Sequence, residues 1–218
     1  MNATAAAADG QRAWWLRTLL VLQAPRAVFA ALRDESPEAI EARQEPVTAL
    51  VFLAGIAGVL LAPRFGRLYD DPEIDALLVI VIAIFAGGIY AFFSYWGWGW
   101  ALSLGVRALG GEAPARRCRH VLAFAVAPLA LSLVIVWPLR LAVYGGDVFR
   151  TGGADSGTGG EVFEWLLLAF VLWSLGLLVV GMRTVQGWSW ARAAGASVFA
   201  IGLVIVFLGV ARLLGAGE

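Results

Sequence analysis

The sequence predicts an all-α, polytopic integral membrane protein with five transmembrane helices and an N-terminal interfacial amphipathic helix. Three observations carry that expectation. The 218 residues are 61% hydrophobic and 15% charged, with a mean hydropathy of +0.80, more apolar surface than a soluble domain of this size can bury. Five stretches free of full charges reach the roughly 17 to 25 residues that a helix needs to cross a hydrocarbon core about 30 Å thick. Arginines cluster at alternate ends of these stretches.

Residues 1–46 form the one sizeable segment before the first span. The small-residue tail up to Gly10 is expected to be unstructured. Gln11 to Gln23 places Trp14, Trp15, Leu19 and Leu22 beside Arg12 and Arg17 on a stretch too short to span, the pattern of an interfacial helix. Pro25 interrupts it, and a second short helix carries Phe29 and Leu32. The whole segment is expected to lie against the inner leaflet.

The membrane region proper covers residues 47–214, with spans at 47–63, 76–106, 121–139, 165–182 and 193–211. The second stretch has 31 residues, about 46 Å as a helix, too long for one perpendicular crossing and too short for two. It reads as one long tilted helix, with a bend expected at Trp96-Gly97-Trp98-Gly99-Trp100. Pro128 predicts a kink in the third span. Gly145 to Gly160 has the composition of a flexible connector. Gly195, Gly202 and Gly209 recur every seven residues along the fifth span and are expected to admit a neighbouring helix.

Counting arginines orients the chain. Eleven of the 16 lie in residues 1–46, 107–120 and 183–192, whereas the other side holds five arginines and nine of the 16 acidic residues. The rule that cytoplasmic segments are arginine-rich puts the N-terminus inside and the C-terminus outside, in the plasma membrane.

The same composition removes several functions. A formal net charge of zero offers no field for nucleic acid. A lone Cys118 cannot form an intrachain disulfide, and a lone His120 cannot build a histidine-rich metal site. No span carries a carboxylate pair for an aspartyl protease or a proton relay, and no G-x-S-x-G motif surrounds the serines. Catalytic residues, metal ligands and cofactors are therefore not expected. Two charged runs have ordinary explanations. Arg116-Arg117-Cys118-Arg119-His120 reads as a topology determinant, and Asp70-Asp71-Pro72-Glu73-Ile74-Asp75 as a solvated helix start.

One internal similarity stands out. Gly105, Arg107, Gly111 and Arg116 recur as Gly181, Arg183, Gly187 and Arg192, each pair 76 residues apart, and Leu133 to Val136 recurs as Leu203 to Val206. A duplicated helix hairpin would produce this. So would the general abundance of glycine and arginine at inner helix ends, and both readings stand.

The order of these features resembles the Yip domain family, membrane proteins first known as partners of Ypt and Rab GTPases. The residues that carry the resemblance are Leu22-Gln23-Ala24-Pro25-Arg26-Ala27-Val28-Phe29, Leu109-Gly110-Gly111, Pro128, and Trp173-Ser174-Leu175 leading to Gly181 and Gly187. The arginine-only, alanine-rich composition suggests a bacterial member. The resemblance implies a non-enzymatic scaffold or membrane-organising protein, whose partners are the bilayer, other membrane proteins or anionic lipids, with homo-oligomers left open. Pro25, Phe29, Arg107, Gly111, Arg183 and Gly187 are the expected contacts. The alternative is a small-solute channel or transporter between the two hairpins. A crevice lined by Tyr90, Ser94, Tyr95 and Ser174 would favour it.

Overall fold

A computed structural model describes residues 3–62, 65–71, 73–112 and 114–215, with the side chains of 3–8, 76 and 211–215 left aside. Eight α-helices follow in order among these residues: α1 (Ala3–Leu20), α2 (Pro25–Ala31), α3 (Pro37–Leu60), α4 (Ala76–Ala108), α5 (Ala115–Ala125), α6 (Ala127–Tyr144), α7 (Thr158–Gln186) and α8 (Trp190–Gly215). Short 3-10 helices at Phe65–Asp70 and Gly145–Phe149 complete the set. Five helical stretches are long and apolar enough to cross a membrane: α3, α4, α5 with α6, α7 and α8.

Local chemistry sets the helix ends. The Ser36 hydroxyl accepts from the Ala39 amide at 3.3 Å, and Pro37 occupies the first turn of α3, where its missing N–H costs nothing. Helix α3 therefore begins well before the apolar stretch and runs through Pro46. Asp75 caps α4, accepting from the Leu78 amide at 2.8 Å. The third span breaks where Pro128 lies, α5 ending at Ala125 and α6 starting at Ala127.

Two expectations about irregular segments are corrected, at the N-terminal tail and at the glycine-rich connector. The tail before Gly10 is helical from Ala3, in keeping with its run of alanines, the best helix formers. Helix α4 continues without interruption through Gly97 and Gly99. Gly99 instead makes room for Arg119, whose guanidinium lies 3.9 Å from the Trp96 ring centroid. The glycine-rich connector is tied down, with Arg140 ion-paired to Asp155 and the Thr151 amide donating to Asp70 at 2.9 Å.

Two apolar clusters fill the bundle. The larger joins α1, α2 and α3 to the ends of α4, α5, α7 and α8 near the arginines, through residues such as Val21, Phe29, Leu102 and Phe124. The smaller lies toward the opposite end, around Val79, Trp137, Phe149 and Leu167. Helix α8 packs on α4 near its start, where Gly105 approaches the Ala196 carbonyl and Gly195 faces Leu109. Further along, nothing among the described residues lies within 4 Å of a side chain placed at Gly202 or Gly209. Among the described residues, the first glycine of that heptad stripe is the one used for packing inside the protein.

Candidate functional site

The six residues singled out from the sequence share one end of the bundle but have different surroundings. Pro25 opens α2 at its first turn and is half-buried. Phe29 is fully buried, its ring filling the space left by Gly181 on α7, where a side chain would collide with Phe29 and Val121. An external partner cannot reach it, so Phe29 joins α2 to α7 as a packing residue. Arg107 is exposed in the last turn of α4. Gly111 lies under the Trp188 indole, and the Arg183 guanidinium sits 4.6 Å from the Trp190 centroid.

The two arginine-bearing turns meet each other. Arg192 donates through Nε to the Leu109 carbonyl at 2.9 Å, and Gln186 Nε2 donates to the Glu112 carbonyl at 3.1 Å. Arg192 also covers Trp188, 4.3 Å from its centroid. The first bond satisfies the carbonyl at the C-cap of α4, and the second ties down the loop that follows it. The proposed repeat is matched here only loosely. Gly187 is left-handed with φ +68° and ends α7, but its structural counterpart at the end of α4 is Gly110, with φ +72°, and not Gly111.

The N-terminal segment locks onto the same end. Arg33 donates to the Thr184 carbonyl, Arg43 Nη1 to the Asp34 carbonyl at 2.9 Å, and Arg117 forms a two-point pair with Glu35, both contacts at 2.9 Å. Hydrogen bonds from the Ser36 amide and hydroxyl lower the Asp34 pKa. Arg43 is 1% exposed, its guanidinium 5.6 Å from the Trp14 centroid. Trp14 and Thr18 of α1 and Val21 just after it are buried, whereas Trp15, Leu16, Leu19 and Leu20 on the helix's other face are 41 to 65% exposed.

A second region, only partly anticipated from the sequence, lies mid-span, where α3, α4 and α7 meet with single residues of their neighbours. A mid-span cleft of about 200 Å³ is bordered by Tyr90, Ser94, Tyr95 and Ser174, the four residues named for a crevice, but carbon forms most of its wall. The helix hydroxyls of Thr184, Ser132 and Ser197 return their protons to backbone carbonyls of the preceding turn. Ser174 Oγ is buried and has no partner among the described residues.

Toward the end away from the arginines, a cavity of about 400 Å³ is bordered by Leu60, Trp137, Arg140, Phe149, Glu164 and Leu167, among others. Val171 borders both cavities. The Trp137 indole stacks on Phe149 with the planes 5° apart, and the Arg140 guanidinium stands 5.4 Å from the Trp137 centroid. Trp137 Nε1 and Arg140 Nε are both buried donors without a hydrogen-bond partner among the described residues. By sequence alone, Trp137 near a predicted interface fits an aromatic belt and Arg140 counts only toward topology. Their spacing of three puts them on one face of α6, but that they border a cavity depends on α3 and α7, far away in the chain.

Fold and site together define a helical, multi-pass membrane protein that is in contact with the lipid bilayer. The Yip1 domain family model matches residues 19–211, and the chain belongs to that family. Neither the curated proteins nor the solved structures returned a match.

Proposed function

We propose that the protein is a non-catalytic, membrane-organising scaffold of the plasma membrane that inserts α1 as a wedge into the cytoplasmic leaflet. The observation that carries this reading is the two-faced apolar character of α1. One face is fixed to the bundle by Trp14 and Thr18, with Val21 in the turn that follows, and the other presents Trp15, Leu16, Leu19 and Leu20. Four large apolar side chains on a docked helix suit acyl chains and not water. A helix held in one leaflet adds area to that leaflet alone, which favours curvature. Exposed Arg26, Arg33, Arg107 and Arg116 at the same end would attract anionic headgroups, each by about 1 kcal/mol.

The test is reconstitution of the full chain into vesicles with and without anionic lipid, followed by imaging of vesicle diameter. The native chain should shift the population to smaller vesicles, more so with anionic lipid. Leu16→Asp with Leu19→Asp, both on the exposed face, should abolish the shift while the protein stays inserted. Equal diameters for both proteins would sink the wedge. The solute-pathway alternative would need polar groups along the mid-span cleft, where hydroxyls are few and carbon prevails.

A further inference from the structure

The contacts of α1 fix its direction. Gly10 lies against Ala42 of α3, the Trp14 ring centroid is 5.6 Å from the Arg43 guanidinium, and Leu19 and Leu22 border one groove with Ala49 and Leu53. Residue numbers rise together along the two helices, so α1 runs beside α3 in the same sense, from the arginine-rich side into the bilayer. Leu53 stands six residues past Val47, where the first span begins. That is a depth of about 9 Å in a half-core of about 15 Å. The chain then turns back. Phe29 of α2 fills the space beside Gly181, and Arg33 donates to the Thr184 carbonyl at the inner end of α7.

Hydrocarbon tolerates such a re-entrant turn only where its backbone groups are bonded within the protein. Here the amides of Val21, Gln23 and Ala24 donate to the carbonyls of Arg17 and Leu20 at 2.7 to 3.0 Å. No full charge lies between Arg17 and Arg26, and Gln23 is the one amide side chain in that interval.

A groove of about 180 Å³ lies between α1, α3 and α6. Small Ala49 leaves room in it, Leu22, Leu53 and Leu131 flank it half-buried, and Trp15, Leu19 and Val134 are exposed, which opens it sideways to the bilayer. Its one hydroxyl, on Thr18, is turned back to the Trp15 carbonyl at 2.6 Å, so the wall offers carbon. Charges of both signs stand a turn above it, Arg12 before Trp15 and Glu45 before Ala49, both exposed, so no headgroup charge is favoured.

We propose that this groove holds one acyl chain of a cytoplasmic-leaflet phospholipid, seated lengthwise between α1 and the α3–α6 pair. Hydrocarbon chains are the medium at this depth, and from Ala127 to Val134 the groove runs about 10 Å, most of one leaflet. The bound chain completes the packing of α1. The proposal rests on the insertion of α1 that the wedge also assumes, and not on curvature.

In the test, the full chain is reconstituted with a phosphatidylcholine carrying a diazirine on one acyl chain. It is photolysed in the vesicles or after extraction into mild detergent, and mass spectrometry maps the crosslinked residues. In vesicles, Leu53 and Leu131 in the groove and Phe85 on the exposed face of α4 should all be labelled. Detergent should cut labelling of Phe85 about tenfold relative to Leu53 and Leu131, a retention difference of about 1.4 kcal/mol. Moving the diazirine from the glycerol end of the acyl chain to its methyl end should shift the labels from Trp15 and Ala49 toward Val134. Ala49→Phe, which fills the groove, should remove the retained lipid and leave Phe85 labelling in vesicles unchanged. Equal loss of groove and Phe85 labels in detergent would overturn the proposal, as would a retained lipid indifferent to Ala49→Phe. Labels independent of the diazirine position would lay α1 flat and end the proposal while the wedge stood, whereas unchanged vesicle diameter removes the wedge alone. The detergent comparison uses the native chain, so it reads out even if Ala49→Phe fails to fold.

Discussion

Phe29 illustrates how far a single residue can be read from sequence. Its spacing from Pro25 marked it, but spacing does not say whether an aromatic ring faces a partner or the protein's own interior. Gly181, 152 positions along the chain, decides this by leaving a gap that the ring fills. Phe29→Ala should therefore destabilise the fold by about 3 kcal/mol, the usual cost of emptying a buried aromatic site. Thermal unfolding in detergent measures it. A variant as stable as the native chain would return Phe29 to the list of surface contacts. Trp137 and Ser174 show the same limit in reverse. Ser174 stands in a short motif and Trp137 near a predicted interface, but neither position tells that its polar atom is buried without a partner among the described residues.

At the level of elements, periodicity and breakers were the legible part. The five apolar stretches and the break at Pro128 could be read because bilayer thickness and the missing proline N–H act locally. The polar start of α3 could not, since Glu38, Glu41 and Arg43 mask a helix whose N-cap at Ser36 is a subtler signal. The connector between α6 and α7 misled because its glycines suggested freedom, whereas Asp70 and Thr151 tie the two short 3-10 segments together. The Thr151 hydroxyl and amide both donate to Asp70 and hold its pKa below the ordinary carboxylate value of 3.8. A carboxyl depressed on folding contributes stability above its unfolded pKa and loses it as pH falls through the folded value. Hydrogen exchange at the Thr151 amide should thus stay slow at neutral pH and quicken, relative to the intrinsic rate, as acid protonates Asp70. Asp70→Asn should show the faster exchange at every pH. Protection indifferent to both changes would mean that the tie is not what orders the connector.

For the whole molecule, the two cavities could not be read in advance, because each is walled by helices separated by most of the chain. The orientation has the opposite character: it rests on arginine counts alone, and helix packing is the same whichever way the bundle is inserted. A five-span path puts Arg26 and Arg107 on one side and Asp71 and Ser156 on the other, and all four are exposed. Cys118 is 2% exposed, and a Cys118→Ala background, which empties the space of a single buried sulfur, removes the only native thiol. Single cysteines at those four positions can then be probed in intact cells with a membrane-impermeant maleimide. The arginine asymmetry predicts that positions 71 and 156 are labelled at once, and that 26 and 107 are labelled only after the membrane is opened. The reverse pattern would keep five spans and invert the protein, moving α1 and its wedge to the external leaflet. Labelling of 71 and 107 from the same side would break the span between them, and with it the path on which the wedge depends.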